Sequence, residues 1–252
     1  MTFTNNNNKY LPILIIAYKR PRFLVELLLI IKSLKFDYKL YVFIDGYKNN
    51  EDRELVIKCQ KLVNSIEIKN KITNFSSVNL GCGRGPVEAI NWLFKNEPYG
   101  VILEEDCLPN QTFFPYCFEL LKKYFTNDKI FHISGNQFDL LLNYDYSYLF
   151  STESHNWGWA TWRRAWNFYD YYIIPENERE TIWDYQWQKT ILKHNGITIL
   201  PIVNLVKNVG FGEDATHTTD ISDCHIRDVQ EIDLPLKHPN LNLNNLYVSK
   251  SI

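Results

Sequence analysis

"GVILEEDC", residues 100–107, runs from an apolar segment directly into three consecutive acids. A short apolar run that ends in polar residues is typical of a strand buried in a parallel sheet. Ligands of such sheets bind at the carboxyl ends of the strands. The stretch therefore predicts a buried strand, and it predicts chemistry where that strand ends, at Glu104, Glu105 and Asp106.

Apolar runs and amphipathic segments alternate on both sides of this stretch. The alternation favours an α/β fold with a mainly parallel sheet and helices on both faces. The predicted strands are 11–17, 39–46, 66–70, 100–107 and 129–135, and the predicted helices are 20–35, 50–65, 86–96 and 112–125.

The regular alternation ends near residue 150, where short strands, a Trp-rich segment and a polar-aromatic helix follow. No linker or internal repeat separates the two halves. We expect residues 1–9 to be disordered and residues 10–252 to form a single domain. In that domain, residues 151–252 pack onto residues 10–150 and complete their site.

Composition excludes several classes of protein. The chain has 252 residues with 27 basic and 29 acidic side chains, which gives no electrostatic reason to expect nucleic acid as a partner. Its five scattered cysteines argue against a disulfide framework or a zinc site and favour a reducing compartment. The N-terminus lacks a signal peptide, and the longest apolar run carries Glu26. We expect a cytoplasmic protein without a transmembrane segment, and peripheral contact with a membrane is compatible with it.

The glycine-rich stretch "NLGCGRG" (79–85) has two interpretations. A glycine loop between a strand and a helix, followed by a strand that ends in Glu104 or Glu105, is typical of S-adenosylmethionine-dependent methyltransferases. The preceding "ITNFSSVNL" is a poor strand, however, and a lone glycine loop is a weak signal. Alternatively, the loop precedes a helix N-terminus that favours an anion, and Arg84 adds a positive charge for a phosphate.

Three adjacent carboxylates repel one another at neutral pH unless a cation lies among them. Mg²⁺ and Mn²⁺ prefer carboxylate oxygens and usually share their coordination shell with substrate phosphates. A solvated acidic turn is the alternative interpretation. The position of Glu104, Glu105 and Asp106 at the end of a strand favours the metal.

The order of motifs over residues 10–220 resembles a GT-A fold glycosyltransferase. It is most similar to the inverting N-acetylglucosaminyltransferases that act on mannosides and to their bacterial relatives in surface-polysaccharide synthesis. The resemblance implies a Rossmann-like, mainly parallel sheet, with residues 10–150 as the nucleotide-sugar-binding half and residues 151–252 as an integrated acceptor-binding half. The motifs are "PILIIAYKRP", "YVFIDG", "VILEEDCLPNQTFFPYCFELL", "HISGNQF" and "WGWATWRRAW".

The resemblance assigns roles to the acids and to the first two strand ends. Asp106 matches the family's metal-binding acid, which implies Mn²⁺ or Mg²⁺, and Glu104 and Glu105 would face the nucleotide sugar. Arg20 would contact the nucleotide, and Asp45 would hydrogen-bond a uracil ring. The glycine loop with Arg84 would lie beside the diphosphate. The plain alternatives are a solvated arginine at a helix start and a simple Asp-Gly turn.

The Trp-rich segment "HNWGWATWRRAW" (155–166) is the next feature. Trp159, Trp162 and Trp166 are three or four residues apart, which predicts a helix with an aromatic face. Core packing is the leading interpretation of these rings. The resemblance makes Trp157 and Gly158 candidates for contact with the sugar.

Inverting transfer needs one carboxylate to take the acceptor's proton. The family's base lies between two tryptophans at the start of a helix, which in "WDYQW" implies Asp184. Strict forward counting places Tyr185 there instead, and an Asp at a helix start is also a plain cap. A loop at 208–218 contains His217, which the resemblance implies could reach the metal or the diphosphate.

Together these features predict a metal-dependent inverting glycosyltransferase. It would transfer a sugar from a nucleoside diphosphate donor, UDP-linked and for instance UDP-N-acetylglucosamine, to a saccharide hydroxyl in glycan synthesis. An S-adenosylmethionine-dependent methyltransferase and a non-catalytic sugar-binding module on the same fold are the alternatives.

Overall fold

The computed structural model describes residues 9–139, 144–176, 183–210, 228–243 and 246–248. The strands are β1 (Leu11–Ala17), β2 (Tyr38–Ile44), β3 (Lys71–Phe75), β4 (Tyr99–Glu104), β5 (Cys107–Pro109), β6 (Ile130–Ser134), β7 (Tyr148–Ser151), β8 (Trp159–Trp162), β9 (Ile197–Pro201) and β10 (Val206–Asn208). The helices are α1 (Pro21–Lys32), α2 (Asn50–Ser65), α3 (Gly81–Asn96), α4 (Phe113–Lys123), α5 (Arg163–Trp166) and α6 (Trp183–Lys193). None of these helices is both long and apolar enough to cross a membrane.

Eight strands form one sheet in the order β3-β2-β1-β4-β8-β6-β9-β7. β3, β2, β1 and β4 are parallel, β6 and β9 run in the same direction, and β8 and β7 are antiparallel to their neighbours. This arrangement confirms the predicted α/β class with a mainly parallel sheet. β8, from the second half of the chain, lies between β4 and β6, so a single sheet joins both halves.

Helices cover both faces of the sheet, which explains the continuous apolar runs of its central strands. All seven residues of β1 are buried, and alternate ones enter the two opposite core clusters. α1, α2 and α4 pack on one face, whereas α3 and α6 pack on the other. Pro21 occupies the first position of α1, where its fixed φ suits a helix start. Full burial of a side chain such as Leu27 stabilises the fold by about 1.5–3 kcal/mol.

The third strand was predicted at 66–70 but lies at Lys71–Phe75. Residues 66–70 instead form the turn that follows α2, where Asn70 has a φ of 59°. The Lys71 ammonium donates to the carbonyl of Ile66 at 2.6 Å and so satisfies the end of that helix. β3 is one of the two edge strands of the sheet and is only partly buried. A partly exposed strand needs few apolar residues, so its sequence carries little strand signal.

The helix predicted from the spacing of Trp159, Trp162 and Trp166 is wrong over most of its length. Residues Trp159–Trp162 form β8, and helix α5 begins only at Arg163. Trp159 and Trp162 lie in the two opposite core clusters, as residues three apart on a strand must. The strand is buried on both faces, so a tryptophan on either face packs into a hydrophobic core. Trp159, Trp162 and Trp166 are therefore core residues, in agreement with the leading interpretation of the sequence.

His132 on β6 is fully buried and has a fixed tautomer. The Trp187 indole donates to its Nδ1 at 3.1 Å, and an indole N–H cannot accept. The proton therefore sits on Nε2, which lies 3.0 Å from the Ser134 hydroxyl and 3.1 Å from the His155 carbonyl. Burial lowers the pKa of His132 from about 6.5 to about 3.

This depressed pKa makes a prediction about acid stability. His132 stays neutral in the folded state while the unfolded chain takes up a proton below pH 6.5. Its contribution is therefore complete above about pH 6.5 and is lost as the pH falls toward about 3, with a slope of at most about 1.4 kcal/mol per pH unit. Urea unfolding at a series of pH values should show a shallower slope for His132→Phe than for the wild type. A control variant at the exposed His194, His194→Gln, should keep the wild-type slope.

Candidate active site

The carboxyl ends of three adjacent parallel strands bring the predicted charged residues to one edge of the sheet. Arg20 follows β1, Asp45 follows β2, and Glu104 is the last residue of β4. Glu105 and Asp106 form a turn, after which β5 begins at Cys107. The strand predicted over 100–107 therefore breaks within the acids, so that Glu104 ends β4 and the turn before β5 consists of Glu105 and Asp106.

Arg20 joins two acids of this triplet. Its Nε donates to Glu105 Oε1 at 2.8 Å, and its Nη1 lies 2.8 Å from Asp106 Oδ2. The Arg20 side chain is only 18% exposed, and the two carboxylates are almost buried. Burial by itself lowers the pKa of Arg20, but the charges of Glu105 and Asp106 outweigh it and hold that pKa above its ordinary value.

The surroundings of Glu104 strongly affect its protonation. Burial, followed by the charges of Asp106, Glu105 and Asp184, raises the pKa of Glu104 to about 8. The charge of Arg20 acts in the opposite direction but is the smaller effect. The contribution of Asp184 places its carboxylate within electrostatic reach of the triplet. Trp183, which precedes Asp184, stacks on Trp159 of β8 with the ring centroids 5.8 Å apart. Trp159 pairs with Ile102 of β4, so the start of α6 lies beside the strand that ends at Glu104.

The chain crosses this turn a second time at Gly210. β10 pairs with β5 in antiparallel register, and the Val209 N–H then donates to the Asp106 carbonyl at 2.9 Å. A Cβ on Gly210 would lie 1.9 Å from Asp106 Oδ2 and 2.9 Å from Arg20 Nη1, so only glycine fits there without a shift. Sequence analysis missed Gly210, although the "VGFG" pattern (209–212) marked a close backbone approach. The predicted His217 lies outside the described residues, in the segment that Gly210 leads into.

Asp45 binds the N-terminus of α3. Its carboxylate accepts from the backbone N–H groups of Gly46 at 2.9 Å, Leu80 at 2.9 Å and Gly81 at 3.0 Å, and from Asn79 Nδ2 at 3.2 Å. Burial raises the pKa of Asp45, and these backbone hydrogen bonds act against the increase. The anion expected at this helix N-terminus is therefore a side chain of the protein itself.

The sequence predicts that the glycine-rich stretch is a loop before α3. In the structure it forms the first turn of that helix. The helix begins at Gly81 and not at residue 86. Gly81 has a φ of +76°, which favours glycine, and this bend turns the Leu80 and Gly81 N–H groups onto Asp45. Because the Leu80 and Gly81 N–H groups already donate to the Asp45 carboxylate, the partial positive charge of this helix N-terminus is already paired.

Arg84 lies on the exposed surface of α3. Its side chain is 64% exposed, and its Nε lies 3.8 Å from Glu88 Oε1 one helical turn along α3. Both residues line a shallow groove of about 340 Å³ between α3 and the edge of the sheet. The other residues of this groove are Phe43, Asn74, Ser76, Leu80, Trp92 and Lys95.

Trp157 and Gly158 lie near the carboxyl end of β6. Gly158 has a φ of +76°, and its carbonyl accepts from the Gly135 N–H at 2.8 Å. A Cβ on Gly158 would lie 2.9 Å from Val206 Cγ2, so packing alone requires a glycine. The Trp157 ring is half-buried and stands edge-on to Phe138 at 5.3 Å.

Sequence analysis also missed a buried amide cluster behind the site. Asn136 Nδ2 lies 3.3 Å from Asn204 Oδ1 and 3.2 Å from the Val206 carbonyl, and Gln137 Nε2 donates to the Pro201 carbonyl at 2.9 Å. These bonds hold β10 against the ends of β6 and β9, and so they position the chain that reaches Gly210. The "GNQ" that follows a predicted strand was the available signal.

Sequence comparison does not place the chain in a family. No family model matches it, and no curated protein matches it.

Three solved structures of glycosyltransferases are similar to this chain. The mannosyltransferase PcManGT from Pyrobaculum calidifontis, in complex with GDP-mannose and Mn²⁺, matches with a TM-score of 0.41 and 11% identity over 62% of this chain and 46% of its own. An active-site mutant of LgtC matches with a TM-score of 0.41 and 10% identity over 72% and 70%. The galactosyltransferase LgtC in complex with donor and acceptor sugar analogues matches with a TM-score of 0.37 and 12% identity over 73% of this chain and 69% of its own. The chain thus covers less than half of the mannosyltransferase.

The Asp45 contacts make a prediction about stability. Asp45→Ala removes a nearly buried acceptor from the Leu80 and Gly81 N–H groups, so the free energy of unfolding should fall by about 2 kcal/mol. Asp45→Asn keeps one carbonyl oxygen and should lose less. Urea denaturation measures both values. Asp37→Ala, which alters an exposed residue before β2, is the matched control. Equal values for Asp45→Ala and Asp37→Ala would contradict the role of Asp45 at the helix start.

Proposed function

We propose that this protein is an inverting glycosyltransferase that moves a sugar from a nucleoside diphosphate donor to a saccharide hydroxyl. The observation that carries the proposal is the pairing of Arg20 with the acidic turn at the carboxyl edge of the sheet, with the start of α6 and its Asp184 packed beside β4. This edge is where α/β sheets bind their ligands. A cation for the diphosphate and a separate carboxylate for the acceptor are the two charges that such a transfer needs.

In this proposal, Mn²⁺ or Mg²⁺ binds at Asp106. Carboxylates suit such an ion. Burial and the charges of the neighbouring carboxylates raise the pKa of Glu104, and a cation at the turn would offset the repulsion among these acids. No group of three acidic, histidine or cysteine side chains in the described part of the chain is arranged to hold an ion. Diphosphate oxygens would supply further ligands, as would His217. The bound ion would stabilise the negative charge of the leaving diphosphate.

Asp184 is the proposed general base. It lies in the first turn of α6, and its Oδ1 accepts from the Tyr185 N–H at 2.9 Å, which orients the carboxylate. The acceptor oxygen attacks the anomeric carbon while its proton passes to Asp184. The bond from that carbon to the diphosphate breaks, and the electron pair leaves with the nucleoside diphosphate. Attack from the opposite side inverts the anomeric configuration.

The donor is proposed to be UDP-linked, with UDP-N-acetylglucosamine as the first to test. Glu104 and Glu105 would face the donor. Asp45 would shape the nucleotide pocket by holding residues 79–81 through its hydrogen bonds to their N–H groups. A hydrogen bond from Asp45 to the uracil ring would be made in addition to these. Trp157 and Gly158 are proposed to border the sugar. A cytoplasmic location and a role in polysaccharide synthesis complete the proposal.

The methyltransferase alternative loses its main feature in this structure. It requires the start of α3 to approach S-adenosylmethionine, whereas the N–H groups of Leu80 and Gly81 are bonded to Asp45. A sugar-binding module without catalysis remains the second alternative. Turnover of a sugar nucleotide by the purified protein would separate it from the enzyme.

A thermal-shift panel tests the donor. UDP, GDP, UDP-N-acetylglucosamine and S-adenosylmethionine are each compared with and without Mn²⁺. A ligand at 100 times its Kd stabilises the folded state by about 2.7 kcal/mol, which raises Tm measurably. We expect the largest increase with a uridine nucleotide and Mn²⁺ together. An increase with S-adenosylmethionine and none with any nucleotide would overturn the proposal.

Asp184→Asn separates the base from the binding site. The variant should lower kcat by about 10²–10⁴-fold because the acceptor's proton has no base, while UDP binding stays at the wild-type level. Steady-state transfer assays and calorimetry with UDP measure the two quantities. Asp37→Asn, at the opposite edge of the sheet, should change neither. Full activity of Asp184→Asn would move the base to another residue.

A further inference from the structure

The Arg20 guanidinium occupies the position that a bound cation would compete for. It contacts Glu105 Oε1 and Asp106 Oδ2, each at 2.8 Å, and so it neutralises two nearly buried carboxylates at once. The planar fork of an arginine suits such a bridge better than a point charge does. Gly210 lies directly against the same Asp106 oxygen, since a Cβ at this position would be only 1.9 Å from it.

A divalent ion at Asp106 would therefore meet a positive charge already in place. Asp106 Oδ2 is bonded to Arg20 Nη1, and an ion on that oxygen would lie within a few ångströms of the guanidinium. Like charges at such a distance repel strongly in a partly buried site. Arg20 and a divalent ion would thus compete for Asp106 Oδ2.

We propose that Arg20 is an internal placeholder cation, which pairs with Asp106 and Glu105 in the free protein and must release Asp106 before a divalent ion can bind there. The proposal rests on the proposed function for the ion at Asp106 and for the diphosphate that draws Arg20 away. The oxygens of a diphosphate accept from a guanidinium in the same two-pronged geometry as the carboxylates do. Binding of the diphosphate and of the ion would then favour each other, since each removes an obstacle to the other.

Mn²⁺ binding without any nucleotide tests the placeholder directly. Wild-type protein, Arg20→Ala and the matched control Arg22→Ala are titrated with MnCl₂ and followed by the electron paramagnetic resonance signal of free Mn²⁺. Arg22 is exposed and lies in the first turn of α1, two residues from Arg20. We expect Arg20→Ala to bind Mn²⁺ about tenfold more tightly than the wild type and Arg22→Ala to bind like the wild type. An arginine with a purely structural role would give the opposite result, since its loss would weaken the site.

Thermal unfolding of the same proteins gives a second readout. Removing Arg20 leaves Glu105 and Asp106 without their shared counter-ion, so Arg20→Ala should have a lower Tm than the wild type in buffer that contains only NaCl. MnCl₂ at matched ionic strength should raise the Tm of Arg20→Ala more than that of the wild type. Arg20→Lys keeps a charge but cannot bridge both acids, so it provides a better-folded variant with an intermediate Mn²⁺ affinity.

Equal or weaker Mn²⁺ binding by both Arg20→Ala and Arg20→Lys would overturn the placeholder. Their Mn²⁺ affinities need no donor and no acceptor, so this result is independent of whether the protein transfers a sugar. Conversely, tighter Mn²⁺ binding by Arg20→Ala in a protein that turns over no sugar nucleotide would support the placeholder and refute the enzyme.

Discussion

The ion pairs of Arg20 with Glu105 and Asp106 hold the carboxyl edge of the sheet together. They join the residues after β1 to the turn between β4 and β5, and Gly210 after β10 closes against the same pair. Two nearly buried carboxylates cannot stay ionised side by side without a counter-ion, because an unpaired buried charge costs several kcal/mol. The position of the acidic turn, and with it the path of the chain toward residue 211, therefore depends on one guanidinium.

At the end of the neighbouring strand β2, the charge that needs a partner is positive, and an acid of the protein provides that partner. Asp45 supplies the negative charge that the first turn of α3 requires, and the bend at Gly81 aims the N–H groups at it. The protein thus provides its acidic turn and its helix start with charged partners from its own side chains. A charged ligand that binds at this edge would have to displace Arg20 from the acids or Asp45 from the helix N–H groups. Its binding would therefore be a competition with these side chains.

Several elements followed from the sequence because their signals are local. β1 was predicted at 11–17 and α2 at 50–65, and both have those bounds. A continuous apolar run defines β1, while the Asn49 side chain caps α2 by accepting from the Asp52 N–H at 2.8 Å. Two predictions failed where the local signal was ambiguous. The edge strand β3 is too polar to stand out, and in β8, which is buried on both faces, the spacing of tryptophans does not distinguish a strand from a helix.

The sequence by itself determined the α/β alternation and placed Arg20, Asp45 and the acidic triplet at strand ends, because periodicity and strand boundaries are properties of neighbouring residues. Only the tertiary structure decided which of these charges meet. Arg20 pairs with acids of another strand, Asp45 bonds a helix that begins at Gly81, and Arg84 lies on the outer side of that helix. Such pairings join residues far apart in the chain, and they depend on the order of the strands and on the direction in which packing turns each side chain.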